Sequence, residues 1–243
     1  MWRWFIIFLS LGSTAQAVEC EETTFENADY TVCRVDTARE DLRLFLNDPE
    51  TDVPLASFKN VETLAKRSDK VLLFAMNAGM YHQDRRPVGH YVEDSKASAP
   101  LIKSEGPGNF GLLPNGVFCV SDYRADVFET LRFDREAPSC AYATQSGPML
   151  VIDGVVHPKF LENSDSLFVR NGVGTSQDGK TTWFAISEGP VNFYRFARLF
   201  RDHLQTPQAL YFDGNISRLF APSIGRHDGG FPMGPIVGVV SEK

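Results

Sequence analysis

The sequence predicts an α+β fold, with mixed or antiparallel sheets, a few packed helices and a single domain. Two observations carry that expectation. Short apolar runs bounded by Gly, Pro, Asn and Asp recur along the whole chain and read as strands, whereas only a few segments show helical spacing. No strand runs into G-x-G-x-x-G or a P-loop, so a nucleotide-binding α/β unit has no support.

In chain order, residues 1–17 read as a signal peptide. Arg3 gives a positive start, Trp4 to Leu11 is a short apolar run, and Ala15-Gln16-Ala17 is a small-residue cleavage site. The run is too short to span a bilayer, which takes ~20 residues. Glu19 directly before Cys20 argues against lipidation there. The expected domain is therefore 18–243. Tyr30–Val35 and Leu42–Leu46 read as early strands. Ser57 opens a helix through Lys66 with Phe58, Val61, Leu64 and Ala65 on one face. Lys70–Met76 reads as a buried strand and Val88–Val92 as another, with a surface connection over Ser95–Gly108. Asn109–Leu113 and Val117–Val120 flank Pro114-Asn115-Gly116 and read as a hairpin. Ala141–Thr144 and Met149–Ile152 are short strands, and Asp153-Gly154 turns into Val155-Val156. Val169–Thr175 and Thr182–Ser187 form a second hairpin around Asp178-Gly179. Asn192 caps the clearest helix, with Phe193, Phe196, Ala197, Phe200 and Leu204 on one face. Strands Gln208–Phe212 and Ile236–Val240 follow.

The composition is that of a folded protein, 43% hydrophobic with 12% aromatic residues. A formal charge of -7 without basic runs argues against a nucleic-acid partner. No segment after the leader is long and apolar enough for stable membrane insertion. An exported chain meets oxidising conditions, so the four cysteines are expected as disulfides, Cys20–Cys33 and Cys119–Cys140, each bracketing a short segment. The expected address is secreted, with the periplasm favoured; oligomeric state is not encoded in any pattern.

Three apolar strands end in polar, glycine-containing tips: Asn77-Ala78-Gly79-Met80-Tyr81, Ser146-Gly147-Pro148, and Asp213-Gly214-Asn215-Ile216-Ser217-Arg218. Glycine permits close backbone approach to a ligand, and the short polar groups supply hydrogen bonds. The same residues make ordinary turns, and pattern alone leaves both readings open. Arg170 follows an apolar run, where its planar fork suits phosphate or carboxylate, or a structural ion pair. Glu188 and Asp213 each close an apolar run, where partial desolvation would suit acid or base work. His82 lies in the first tip. No H-E-x-x-H, EF-hand or G-x-S-x-G pattern occurs, so no cofactor is required by sequence, and a divalent metal stays open.

Taken together, these segments resemble the phosphodiester glycosidase family. Asn77-Ala78-Gly79-Met80-Tyr81 is similar to its Asn-Gly-Gly-Tyr-Phe segment, and Arg170-Asn171-Gly172-Val173-Gly174 to its arginine strand. Leu210-Tyr211-Phe212-Asp213-Gly214-Asn215-Ile216-Ser217 resembles its Leu-Asp-Gly-Gly-Gly-Ser signature, and Ser146-Gly147-Pro148-Met149-Leu150 lies between in the same order. Ala78 stands for a glycine, and Asn215-Ile216 for two. The resemblance implies hydrolysis of a sugar joined through its anomeric carbon to a phosphodiester. Glu188 and Asp213 would be the catalytic carboxylates. Asn77, Tyr81, Ser146, Gly147, Arg170, Gly214 and Ser217 would contact the substrate, a sugar phosphodiester or glycan, with Arg170 stabilising the anionic leaving group. A non-catalytic module binding a phosphorylated sugar is the rival expectation.

Overall fold

A computed structural model describes residues 18–243; the expected signal peptide, 1–17, lies outside the described residues. Among the described residues, seventeen strands form three antiparallel sheets around one core, with three short α-helices packed on them. The α+β class holds, and antiparallel pairing prevails over mixed.

The seven-stranded sheet runs β1 (Glu19–Phe25), β2 (Ala28–Asp36), β13 (Thr181–Ser187), β12 (Asn171–Thr175), β14 (Gln208–Asp213), β10 (Met149–Ile152) and β11 (Val155–Val156). A five-stranded sheet runs β16 (Arg226–His227), β15 (Leu219–Ala221), β4 (Lys70–Asn77), β17 (Ile236–Glu242) and β3 (Asp41–Phe45). The third runs β6 (Lys96–Ala99), β5 (Tyr91–Glu93), β9 (Tyr142–Ser146), β7 (Gly116–Ser121) and β8 (Arg124–Glu129).

Strand alternation explains the layering. On β14, Leu210 and Phe212 point into the shared core with Phe74, Phe118, Phe184 and Val237 from the other strands. Ala209 and Tyr211 point the other way, against a helix. Each sheet carries one helix on its outer face. Helix α1 (Phe58–Arg67) lays Phe58, Val61 and Ala65 on β4 and β17, helix α2 (Thr130–Glu136) sets Phe133 beside Val117 and Ala143, and helix α3 (Phe193–Arg198) sets Phe196 and Ala197 on β10 and β14. Ser57 and Asn192 cap their helices as expected, their side chains accepting from the N–H of Asn60 and Arg195. α3 continues as a π-helical turn over Leu199–His203.

Two expectations need correction. Asn109–Leu113 is not a strand: β7 begins at Gly116 and forms its hairpin forward, with β8. Asn115 is buried, donating to the Phe110 carbonyl and accepting from Thr130 Oγ1, so its side chain is a structural strut rather than a turn residue. The expected connection over Ser95–Gly108 contains β6. Both disulfides form. Cys20 and Cys33 are register partners on β1 and β2, and Cys119 on β7 ties to Cys140 ahead of β9.

Candidate active site

Asn77, Ser146 and Asp213 are the last residues of β4, β9 and β14, and Asn171 is the first of β12, so all three sheets deliver polar residues to one end of the core. The join is a buried amide pair. Asn171 Nδ2 donates to the carbonyl and to Oδ1 of Asn77, both at 3.0 Å, and Asn171 Oδ1 accepts the Asp213 N–H at 3.2 Å. Asn77 Oδ1 also accepts the Arg218 N–H at 2.9 Å. Ser217 Oγ donates to the carbonyls of Asp213 and Val169, and Ser146 Oγ to that of Phe212. The register between β12 and β14 shifts here: Asn171 faces Asp213, but Gly172 faces Tyr211. Such a bulge re-aims the side chain at the strand end.

Asp213 is turned into a cleft of about 600 Å³, whose walls include Tyr81, His82, Asn109, Phe168, Tyr211 and Gly214. Among the described residues, Asp213 is the one carboxylate lining it. Desolvation raises the Asp213 pKa from 3.8 to about 6, against the opposing pull of the backbone N–H groups of Asn215, Gly214 and Ile216. Tyr81 donates to the Pro232 carbonyl at 3.1 Å; Arg85 lies over its ring at 5.3 Å, and the charges of Arg85 and Arg218 both act on its phenol. Phe168 is held at the rim by a bridge to Val191 and stays 46% exposed, a flat apolar face at the mouth.

The predicted residues divide by depth. Tyr81, Asp213 and Gly214 line the cleft. Asn77, Ser146 and Ser217 sit beneath, with side chains committed to the strand ends. Gly147 packs so closely on Asn115 that a Cβ there would meet Asn115 Cβ at 2.6 Å. Arg170 is fully buried behind Tyr211. Glu188 lies outside the cleft walls: it accepts from Thr31 Oγ1 at 2.7 Å and pairs with Arg226. Asn171, Tyr211, Asn109 and Phe168 were not singled out by sequence. Asn171 had a signal, an amide between an arginine and a glycine strand; the other three read as ordinary loop or core residues.

A larger hollow of about 840 Å³ lies at the opposite strand ends, near Thr175 and Gln208, but its arginines are already paired, Arg124 with Asp126 and Arg132 with Glu136. Among the described residues, no group of three or more His, Cys, Asp or Glu is arranged to hold a metal ion.

The sequence profile of the phosphodiester glycosidase family matches residues 71–231, which takes in every strand end of this cleft. The chain belongs to that family. It is 36% identical over 146 residues to the uncharacterized Escherichia coli protein YigE, a match covering 60% of this chain and 57% of YigE. Among solved structures, the catalytic domain of zebrafish N-acetylglucosamine-1-phosphodiester alpha-N-acetylglucosaminidase, auto-inhibited by its pro-peptide, superposes with a TM-score of 0.64. That likeness covers 95% of this chain and 85% of the zebrafish one at 14% identity. A hypothetical protein from Synechocystis matches with a TM-score of 0.58 over 92% of this chain and 61% of its own, at 11% identity. These two likenesses establish the shared fold. This phosphodiester glycosidase domain thus shares the architecture of those solved structures.

Proposed function

We propose that the protein is a secreted hydrolase that cleaves the glycosidic bond of a sugar-1-phosphodiester in an envelope glycoconjugate, with GlcNAc-linked esters the first candidates. The observation that carries the reading is Asp213: one desolvated carboxylate, with a pKa of about 6, lining the cleft at the strand ends that all three sheets supply. The leaving group of such a substrate is a phosphate monoester, already anionic, so it departs without strong protonation. One carboxylate then suffices. The water oxygen attacks the anomeric carbon, Asp213 takes a water proton, and the carbon–oxygen bond to phosphate breaks with its electron pair staying on the phosphate. Arg85, Arg218 and Arg170 around Tyr81 and Tyr211 give this region a positive field suited to an anionic substrate. Phe168 offers an apolar face to the sugar ring or the group beyond it.

Secretion is supported by the two disulfides, which persist in oxidising compartments. Among the described residues, no helix is long and apolar enough to cross a membrane.

The test is release of free sugar from a nucleotide sugar and an aryl phosphate-linked GlcNAc, followed by mass spectrometry. The reading expects turnover by the wild type, loss of it in Asp213→Asn, and near-normal turnover in Glu188→Gln. Turnover surviving in Asp213→Asn would remove the carboxylate assignment. Ligand-dependent stabilisation without any product would favour a binding module instead.

A further inference from the structure

The cleft in front of Asp213 is walled for the most part by apolar side chains, among them Met80, Val88, Phe110, Phe168 and Ile216. A sugar ring carries a hydroxyl on nearly every carbon and leaves most of such a wall unmatched. The apolar surface also continues outward from the mouth. Leu167, next to Phe168 on the loop ahead of β12, is 53% exposed. Phe231 is 76% exposed, the most of any large apolar side chain among the described residues. Single apolar residues scattered over a surface are ordinary, but a set gathered at one mouth and rimmed by charge marks a binding surface.

The backbone around Phe231 is pinned on both sides. Its carbonyl accepts from Arg218 Nη1, the Pro232 carbonyl accepts from the Tyr81 hydroxyl at 3.1 Å, and the Met233 N–H donates to the Ala56 carbonyl at 2.9 Å. The exposed ring is therefore carried on a fixed strap against Tyr81, a wall of the cleft. Phe168 stands beside another wall, where a Cβ on Gly214 would lie 3.7 Å from its own. The charge at this mouth is positive. Arg85 lies over the Tyr81 ring, and the charges of Arg85 and Arg218 both act on the Tyr81 phenol. Both arginines are partly exposed, and none of the ion pairs among the described residues involves either. Asp84, the acid nearest Arg85 in sequence, is taken by Arg86.

We propose that the group beyond the phosphate is a long-chain alcohol, so that the substrate class is a lipid-linked sugar phosphodiester whose chain lies on Phe168, Leu167 and Phe231 and whose phosphate faces Arg85 and Arg218. The proposal rests on the phosphodiester reading above and names the substrate class for the same site. The occupant is argued from complementarity: a lipid phosphate joins one negative charge to an apolar chain, and the mouth joins two unpaired cations to an apolar rim. The reaction is the one already written. Water adds to the anomeric carbon, the bond from that carbon to the phosphate oxygen breaks, and the products are the free sugar and a long-chain alkyl phosphate. That alkyl phosphate alone keeps both features that the rim recognises.

The experiment is calorimetric titration of the disulfide-intact protein with butyl phosphate, octyl phosphate and octanol, below the concentrations at which they aggregate. Affinity should rise about 10- to 100-fold from butyl to octyl phosphate, as expected for added methylenes that are partly buried. Octanol, lacking the charge, should bind at least about tenfold more weakly than octyl phosphate. Phe231→Ser combined with Leu167→Ser should reduce the octyl-to-butyl ratio to about threefold or less; both side chains are exposed, so Tm should hold. Arg85→Gln combined with Arg218→Gln should weaken both phosphates alike, by about tenfold, and keep that ratio. Equal affinity for the two phosphates, an unchanged ratio in the serine variant, octanol binding as tightly as octyl phosphate, or no octyl phosphate binding would each overturn the proposal. So would a dimer in sedimentation that Phe231→Ser dissolves, since a second copy would then own the rim. Turnover is read separately, on the butyl and octyl diesters of N-acetylglucosamine 1-phosphate. Cleavage of both at equal kcat/KM, with equal alkyl phosphate affinities, would keep the hydrolase reading and remove this one. Length-dependent alkyl phosphate binding with neither diester cleaved would remove the hydrolase reading and keep the lipid-phosphate site.

Discussion

Asp213 shows how one residue is tuned by where its strand stops. Its carboxylate is 8% exposed, and burial raises its pKa from 3.8 to about 6. A carboxylate whose folded pKa is raised favours the folded state less as pH climbs, because the fold must then hold a desolvated charge. Below about pH 4 the residue is protonated in both states and contributes nothing; the penalty grows through pH 6 and is complete above it. Asp213→Asn should therefore be more stable than wild type at pH 7.5, by on the order of 1–3 kcal/mol, and indistinguishable from it at pH 4. Denaturant melts at the two pH values measure this. On the proposed role of Asp213 as base, kcat/KM should fall below about pH 6, where its carboxylate is protonated. A flat profile from pH 5 to 8 would disconnect Asp213 from the rate. Asn171 acts one step back. Asn171→Ala removes the amide that joins β4, β12 and β14 and leaves Asn77 with unmet groups, so both Tm and turnover should drop.

At the scale of elements, the site depends on α3 lying close against β12, and two glycines permit that. A Cβ on Gly172 would meet the Leu210 carbonyl at 2.6 Å and the Phe196 ring at 3.3 Å; one on Gly174 would meet Phe200 at 2.7 Å and Thr206 Oγ1 at 2.7 Å. Alternate glycines on one face of a strand make a groove that the helix aromatics fill, and Asn192, which caps α3, also donates to the carbonyls of Glu162 and Ser164 in the loop leading to Phe168. Gly174→Ala should cost about 1–3 kcal/mol by overpacking. Because Gly174 lies three residues along β12 from Asn171, KM and kcat of the folded fraction should change little. A loss of activity larger than the loss of folded protein would mean that α3 strain reaches the cleft.

Across the whole molecule, acid balance and crosslinks set the working conditions. Glu40 and Glu93 are each raised to about 7, chiefly by burial, and they add to Asp213. All three share one sign, so stability should decline from about pH 5 to pH 8. The opposite group, Asp202, is held at about 2 by Arg201 and Arg198, and Asp41 is lowered by Arg43 and Lys70; their contributions are lost only at strongly acid pH. A Tm that rises steadily from pH 5 to 8 would contradict this balance. Each disulfide closes a short loop, 13 and 21 residues apart, and removing either should cost about 2–4 kcal/mol, measurable in paired Cys→Ala variants.

Much of this molecule follows from local sequence. Helix starts at Ser57 and Asn192, the hairpin around Asp178-Gly179, both cysteine pairings and the three polar tips are legible because capping, turn chemistry and short-range closure are properties of neighbouring residues. The hairpin at Asn115-Gly116 misled because tertiary partners, Phe110 and Thr130, engage the Asn115 side chain in the interior. The site itself is decided by contacts between residues far apart in the chain. Nothing local separates Glu188 from Asp213; what separates them is Arg226 beside one and an open cleft before the other. Nothing local marks Tyr211 as different from any buried aromatic, because its distinguishing property is its place beside Arg170 at the wall of the cleft. Desolvation and unmet hydrogen bonds are sums over everything that surrounds a group, and only the folded chain supplies those surroundings.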